Sequence, residues 1–247
     1  MALVLLALAA CKKDKIEPVD STSTGTDNVL LKIEHTWQDS LEFQLNTDLV
    51  NPLTGDSLNF STFKYYISNI KLKKSDGTWW VQPNSYFLLD LSTGSTPSVQ
   101  LSGVPTGEYT DISYTLGVDS LRNVSGAQDG ALSPSLGMFW SWNSGYIMLK
   151  AEGTSPDAGM GGSFAFHLGG FSGANNVVTT KSHAFTGNSL SVTGNGNCQI
   201  YLSAAPETLW QTSGSVSGTS MIHMPGAAAK TMATDFYASF AFEHIHE

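Results

Sequence analysis

Short runs of alternating apolar and polar residues, separated by turn-forming residues, dominate this chain of 247 residues. Residues 29–37 read as a first strand, and residues 41–45 alternate strictly between apolar and polar side chains. The Ser-Asp-Gly sequence at residues 75–77 is a hairpin signal between two further strand patterns. The sequence contains no heptads, and one helix is expected near residues 227–233. The pattern predicts an all-β fold, an antiparallel β-sandwich that forms a single domain with long loops.

The composition agrees with an exported β-protein and argues against one class of partner. Charged residues make up only 13% of the chain, and its formal net charge is −9. Nucleic-acid binding needs a basic face that neutralises phosphates, so we expect no nucleic-acid partner.

The N-terminus has the features of a bacterial lipoprotein signal. An apolar run over residues 1–10 ends at Cys11, and it is far shorter than the roughly 20 residues that span a bilayer. The Leu-Ala-Ala-Cys sequence resembles a lipobox, which predicts that residues 1–11 are a signal peptide and that Cys11 carries lipid. Residues 12–28 are polar and read as a flexible tether. The folded domain is expected over residues 29–247, lipid-anchored in the bacterial cell envelope, at the outer membrane or its periplasmic face.

The most informative segment for function is the block of residues 137–146, which contains two tryptophans. Trp140 and Trp142 are one residue apart, so an extended strand places both on the same face. A lone strand histidine, His167, follows in Phe-His-Leu-Gly-Gly. Methionine, indole and imidazole together suit copper better than hydrolytic chemistry. The competing interpretation is that both tryptophans fill the core, as large aromatic residues usually do.

Two strand histidines each allow two interpretations. His167 lies between Phe166 and Leu168, and it is either a satisfied core or rim residue or a metal ligand. His35 shares its strand face with Ile33 and Trp37, an arrangement that permits core packing as well as ligation.

The remaining soft or chelating sets are weaker candidates. His223 lies in Met-Ile-His-Met, where strand alternation puts Met221 and His223 on one face and leaves Met224 opposite. A structural role is favoured there, with His223 kept as a reserve ligand. His244 and His246 have a chelating His-x-His spacing, but a frayed terminus binds metals weakly. If Cys11 is lipidated, Cys198 has no disulfide partner and is expected to be a small buried hydrophobe.

Several sequence blocks, read together, resemble one family. The blocks are residues 65–72, 105–109, 116–119, 137–146, 152–153 and 166–170. They resemble the MbnP-like family of exported copper-binding proteins, related to the MopE/CorA proteins of methane oxidisers. The resemblance runs from about Val29 to Ser172.

The resemblance implies a β-sandwich that binds copper near an oxidised tryptophan. In such proteins a tryptophan becomes kynurenine, whose amine joins histidine ligands on Cu(I), and a diheme partner similar to MauG or cytochrome c peroxidase performs the oxidation. His167 matches the histidine of the His-Leu-Gly block, and Trp140 and Trp142 match the paired tryptophans. His35 stands where lipoprotein members place a first-strand histidine.

These observations lead to one functional prediction and two alternatives. We expect a copper-handling lipoprotein that is not itself an enzyme, because its tryptophan would be the substrate of a separate heme enzyme. No nucleophile-elbow signature indicates a Ser-His-Asp hydrolase. The expected metal site contains His35, His167 and one of Trp140 or Trp142. The first alternative is a surface module for a glycan or protein partner, based on six tryptophans, eight tyrosines and polar loops. An exposed tryptophan pair would favour that alternative, whereas a buried pair beside a histidine would favour a metal site. The second alternative is an inert structural lipoprotein, which mutually distant histidines would favour.

Overall fold

The computed structural model describes residues 25–140, 145–159 and 161–247. Within these ranges the chain forms sixteen strands: β1 (Thr26–Trp37), β2 (Leu41–Glu42), β3 (Asp48–Val50), β4 (Ser57–Lys74), β5 (Trp79–Val81), β6 (Tyr86–Asp90), β7 (Ser98–Pro105), β8 (Gly107–Leu116), β9 (Phe139–Trp140), β10 (Gly145–Thr154), β11 (Ser163–Gly169), β12 (Thr179–Ala184), β13 (Leu190–Val192), β14 (Gln199–Ala204), β15 (Met221–Ile222) and β16 (Ala241–His246). The same ranges contain two α-helices, α1 (Ser120–Val124) and α2 (Ala227–Ala238). Short 3-10 helices occur at Leu91–Thr93, Gly130–Leu132, Pro134–Leu136, Gly173–Asn175 and Pro206–Trp210.

The strands form two sheets, and the predicted all-β, sandwich-like fold is confirmed. The smaller sheet has the order β16-β14-β1-β2, with β7 also paired to β1. The larger sheet has the order β12-β8-β4-β10-β11-β15. Five short strands also pair with its members: β13 with β8, β9 with β10, and β3, β5 and β6 with β4. Most pairs are antiparallel, as predicted. Two are parallel, β1 with β14 and β11 with β15, and the second of these matters for the candidate site.

The core lies between the two sheets and is rich in aromatic residues. Ile33 and Trp37 of β1 are buried, as the alternation in that strand predicts. Helix α2 closes the core, with the ring of Phe236 packed edge-on at 5.2 Å from that of Phe63 on β4. The helix predicted near residues 227–233 is therefore present and extends to Ala238.

The central strands of the larger sheet have one core face and one outer face. Phe63, Ala151 and Phe166 occupy paired positions on β4, β10 and β11, and all three are buried. The neighbouring row consists of Lys64, Lys150 and His167, whose side chains are only partly buried. Because side chains alternate along a strand, this second row lies on the outer face.

The first strand begins earlier than the predicted domain boundary. β1 starts at Thr26 and pairs with β7, so residues 26–28 of the predicted tether belong to the sheet. Cys11 and Trp142 lie outside the described residues. Cys198 is buried, as expected, and its thiol donates a hydrogen bond to the carbonyl oxygen of Ser191 at 3.3 Å. No helix within residues 25–140, 145–159 and 161–247 has the length and apolar character needed to cross a membrane.

Candidate metal centre

Two histidines that are far apart in the sequence meet on the outer face of the larger sheet. Strand β15 pairs in parallel with β11, aligning Ala165 with Met221 and Phe166 with Ile222. The next row of that register brings His223 beside His167. The two Nδ1 atoms are 3.2 Å apart, and the ring centroids are 4.7 Å apart with nearly perpendicular planes.

A carboxylate on β10 sets the orientation of His167. Oε1 of Glu152 lies 2.7 Å from Nε2 of His167 and 3.3 Å from Nζ of Lys150. Burial alone would raise the pKa of Glu152, but its hydrogen bond with His167 and the Lys150 charge keep that pKa below its ordinary value. Glu152 is therefore an ionised acceptor, so Nε2 of His167 carries the hydrogen and its Nδ1 accepts a hydrogen bond from Nδ1–H of His223.

Partial burial keeps His167 neutral. Desolvation lowers the pKa of His167 below its ordinary value, although the hydrogen bond to Glu152 acts in the opposite direction. A neutral imidazole with one nitrogen held by a carboxylate is the usual arrangement of a metal-binding histidine.

Trp140 packs against the same strand, two residues beyond His167. It pairs with Gly145 in the β9–β10 hairpin, and its six-membered ring covers Gly169. A Cβ atom at Gly169 would lie 2.5 Å from Cζ3 of Trp140, so only glycine permits this approach. Gly169 lies two residues beyond His167, and residues at that spacing on a strand share a face about 7 Å apart.

The indole is almost fully covered. Trp140 has a relative exposure of 6%, and it lines a cavity of about 270 Å³ together with Tyr146, Phe171 and Pro225. Trp142, the second predicted tryptophan, lies among residues 141–144, outside the described part of the chain.

His35 lies elsewhere, in the core between the sheets. It has a relative exposure of 1%, its Nδ1–H donates to the carbonyl oxygen of Ser95 at 2.8 Å, and its Nε2 accepts from the hydroxyl of Tyr65 at 3.0 Å. Desolvation lowers the pKa of His35 to about 4. Because Tyr65 and Phe63, which His35 contacts, are on the core face of β4, the sheet separates His35 from His167.

The structure thus pairs one predicted ligand, His167, with the reserve candidate His223 and places Trp140 over Gly169 on the same strand, but it does not bring His35 to them. The sequence alone assigned Glu152 no role of its own, because it stood out only within residues 152–153, one of the blocks that resemble the family. The local signal for His223 was its position between two methionines, while its pairing with His167 depends on a contact over 56 residues.

The other candidates lie away from the pair. His244 stacks on Tyr201 in the smaller sheet, with ring centroids 4.2 Å apart, and His246 pairs with Gln199. Among the described residues, no group of three or more His, Cys, Asp and Glu side chains converges as a ready metal site. A metal bound here would have two imidazole ligands and would need a different kind of third ligand.

The pair fits a soft metal ion of low coordination number. The Nδ1 atoms are hydrogen-bonded at 3.2 Å. Two nitrogens that each lie about 2.0 Å from one metal at a tetrahedral angle are about 3.3 Å apart, so a metal could replace the shared hydrogen with little movement of the rings. Copper(I) accepts imidazole and thioether ligands. The fold and the site therefore define a β-sandwich protein with a two-histidine centre beside an indole.

Comparison with known proteins identifies the family. The MbnP family model matches residues 26–224, a range that includes His167 and His223, and the chain belongs to the MbnP family. The structure of MbnP from Methylosinus trichosporium has the same fold, with a TM-score of 0.53, 17% sequence identity and 82% of each chain covered. The comparison with curated proteins gives no match. Family membership supports a role related to copper handling.

Proposed function

We propose that this protein handles copper and binds Cu(I) between His167 and His223. One observation carries the proposal: the two Nδ1 atoms face each other at 3.2 Å on the outer sheet face. In this proposal the chain is a binding protein and not an enzyme. It is held in the cell envelope by a lipid on Cys11.

The residues around the pair prepare it to bind a cation. Glu152 accepts the Nε2 hydrogen of His167, which directs the Nδ1 lone pair towards His223. Desolvation disfavours a protonated imidazole, so the ligand does not need to lose a proton near neutral pH. Copper, when bound, would be coordinated by both imidazoles.

The neighbouring indole supports a second part of the proposal. A diheme protein similar to MauG or cytochrome c peroxidase, consuming two molecules of hydrogen peroxide, would cleave the C2–C3 bond of the indole of Trp140 or Trp142 to N-formylkynurenine. Hydrolysis would release C2 as formate and leave kynurenine, whose amine would join the histidines on copper. The packing of Trp140 on Gly169 supports this because it holds an oxidisable ring two residues along the strand that carries His167. The 6% exposure of Trp140 argues against its use as a glycan-stacking platform.

The copper site is tested by titrating purified variants with Cu(I) in competition with a chromophoric chelator. His167→Ala and His223→Ala should each lose stoichiometric binding while retaining the wild-type circular dichroism spectrum. His244→Ala, which alters an exposed histidine on the other sheet, is the matched control and should bind fully. Unchanged binding by His167→Ala would remove the site assignment.

The tryptophan modification is tested on protein purified from its native host. Peptide mass spectrometry should show that the peptide containing Trp140 and Trp142 has gained one oxygen atom and lost one carbon atom, and metal analysis should find copper. Intact tryptophans in copper-loaded protein would refute the modification alone. Intact tryptophans without copper would refute both parts and leave a binding module as the better account.

A further inference from the structure

A methionine lies beside the histidine pair with its side chain mostly in solvent. Met221 on β15 has a relative exposure of 55%, although the next residue, Ile222, is buried. Single exposed apolar side chains are ordinary on a protein surface, so it is the position of Met221 and not its exposure that carries information. Its neighbours suggest a chemical role.

The sheet register places Met221 on the same face as the pair. Met221 aligns with Ala165, and the following row on that face contains His167 and His223. Residues two apart on a strand are about 7 Å apart between Cα atoms, and the three rotatable bonds of methionine let its sulfur cover much of that distance.

The surroundings leave room for the thioether. Ala165 is small, and Glu152, which pairs with Ala165 from β10, directs its carboxylate to His167. Along β11 the order on the outer face is therefore Ala165, His167 and Gly169, with Met221 beside the first and Trp140 over the last. Met221 and Trp140 flank the histidine pair on opposite sides.

We infer that the thioether sulfur of Met221 is a third, soft ligand of the metal held by His167 and His223. This inference rests on the proposed copper function and deepens it. Thioether sulfur favours Cu(I) and contributes little to Zn(II) binding. Met221 thus makes the centre selective for a monovalent soft ion before any tryptophan is modified.

The test compares Met221→Leu with Met224→Leu in the full chain produced without a diheme partner, so that the tryptophans are intact. Met224 is also exposed, at 63%, but it lies past the end of β15 and outside the register that aligns Met221 with Ala165, so it is a matched control. Met221→Leu should weaken Cu(I) and Ag(I) binding roughly tenfold and leave Zn(II) binding unchanged. Met224→Leu should leave the binding of all three ions unchanged.

X-ray absorption at the copper edge supplies an independent readout. Wild-type protein and Met224→Leu loaded with Cu(I) should show a copper–sulfur scattering shell, and Met221→Leu should not. Sulfur scattering that is absent from the wild type, or that disappears in Met224→Leu instead, would overturn the inference.

The two proposals fail in different ways. If the wild type binds Cu(I) through His167 and His223 but Met221→Leu binds equally well, only the role of Met221 falls. If the wild type binds no Cu(I), the copper function falls and takes the thioether ligand with it.

Discussion

The two strand histidines that the sequence offered as metal ligands, His35 and His167, have opposite surroundings. His35 lies between the sheets, and both of its ring nitrogens already have partners within the protein. His167 lies on the outer face, with one nitrogen held by Glu152 and the other turned to His223. Both histidines thus have a partner at each ring nitrogen. The partners of His35 are a backbone carbonyl and a buried hydroxyl, which stabilise the fold, whereas His167 is oriented by a carboxylate and paired with a second imidazole that can ligate the same metal.

The difference arises from strand parity and from the partner strands. Ile33 and Trp37 lie on the face of β1 that His35 shares, and both are buried. On β11 the buried residues are Phe166 and Leu168, which turns His167 to the outer face. The comparison therefore separates a structural region from a functional one, and substitutions at each should affect different measurements.

The largest effect is expected from His35→Ala. It would leave a cavity in the core and remove the partners of the Tyr65 hydroxyl and the Ser95 carbonyl, lowering the free energy of unfolding by about 4 kcal/mol. His167→Ala, at a half-buried position, should lower it by less than about 1 kcal/mol. Urea unfolding followed by circular dichroism measures both values.

Copper titration completes this comparison. His35→Ala, or the milder His35→Gln if the alanine variant does not fold, should still bind one Cu(I), whereas His167→Ala should not. Loss of Cu(I) binding by a folded His35 variant would contradict the separation of the two regions.

His35 should also make the free energy of unfolding depend on pH, with a somewhat smaller effect than that of His35→Ala. Burial lowers the pKa of His35 from its ordinary 6.5 to about 4 in the folded protein. Between these values the unfolded chain binds more protons, so stability is complete above pH 6.5 and falls as the pH decreases towards 4. The loss attributable to this group is about 3 kcal/mol.

The measurement is the free energy of unfolding from pH 7.5 to 4 for the wild type and for His35→Gln, which cannot titrate at this position. The wild-type curve should fall more steeply between pH 6.5 and 4, because carboxylates contribute equally to both proteins. Parallel curves would show that the buried imidazole is protonated in the folded state.

Much of the fold and part of the site can be predicted from local sequence. Period-two alternation identified β1 and most of the central strands because side chains on a strand must choose between core and solvent. Trp140 and His167 were predicted to belong together, and the short β9–β10 hairpin places the Trp140 ring over Gly169, two residues beyond His167 on β11. Local pattern was sufficient there because each pairing joins neighbouring strands.

The choice of the second histidine depended on information that no local pattern contains. His223 reaches His167 only because β15, two residues long, pairs in parallel with β11. A strand of that length has almost no alternation to detect, and a parallel partner can lie anywhere in the chain. His35 matched the family position in the first strand, but the core face of that strand placed its ring between the sheets.

The smallest expected effect is that of Glu152→Gln, which tests whether the carboxylate prepares His167 for a metal. Glu152→Gln keeps the shape of the side chain but removes the charge that fixes the Nε2 hydrogen of His167 and offsets Lys150. A glutamine can present either its oxygen or its amide to Nε2, so the Nδ1 lone pair is no longer directed at His223 in every molecule. We expect about tenfold weaker Cu(I) binding, or about 1.4 kcal/mol, with little change in unfolding free energy. Competition titrations with Cu(I) measure the difference between Glu152→Gln and the control Glu243→Gln, which alters a carboxylate on the smaller sheet. Equal Cu(I) affinities would mean that the geometry of the histidine pair prepares His167 for the metal without the carboxylate.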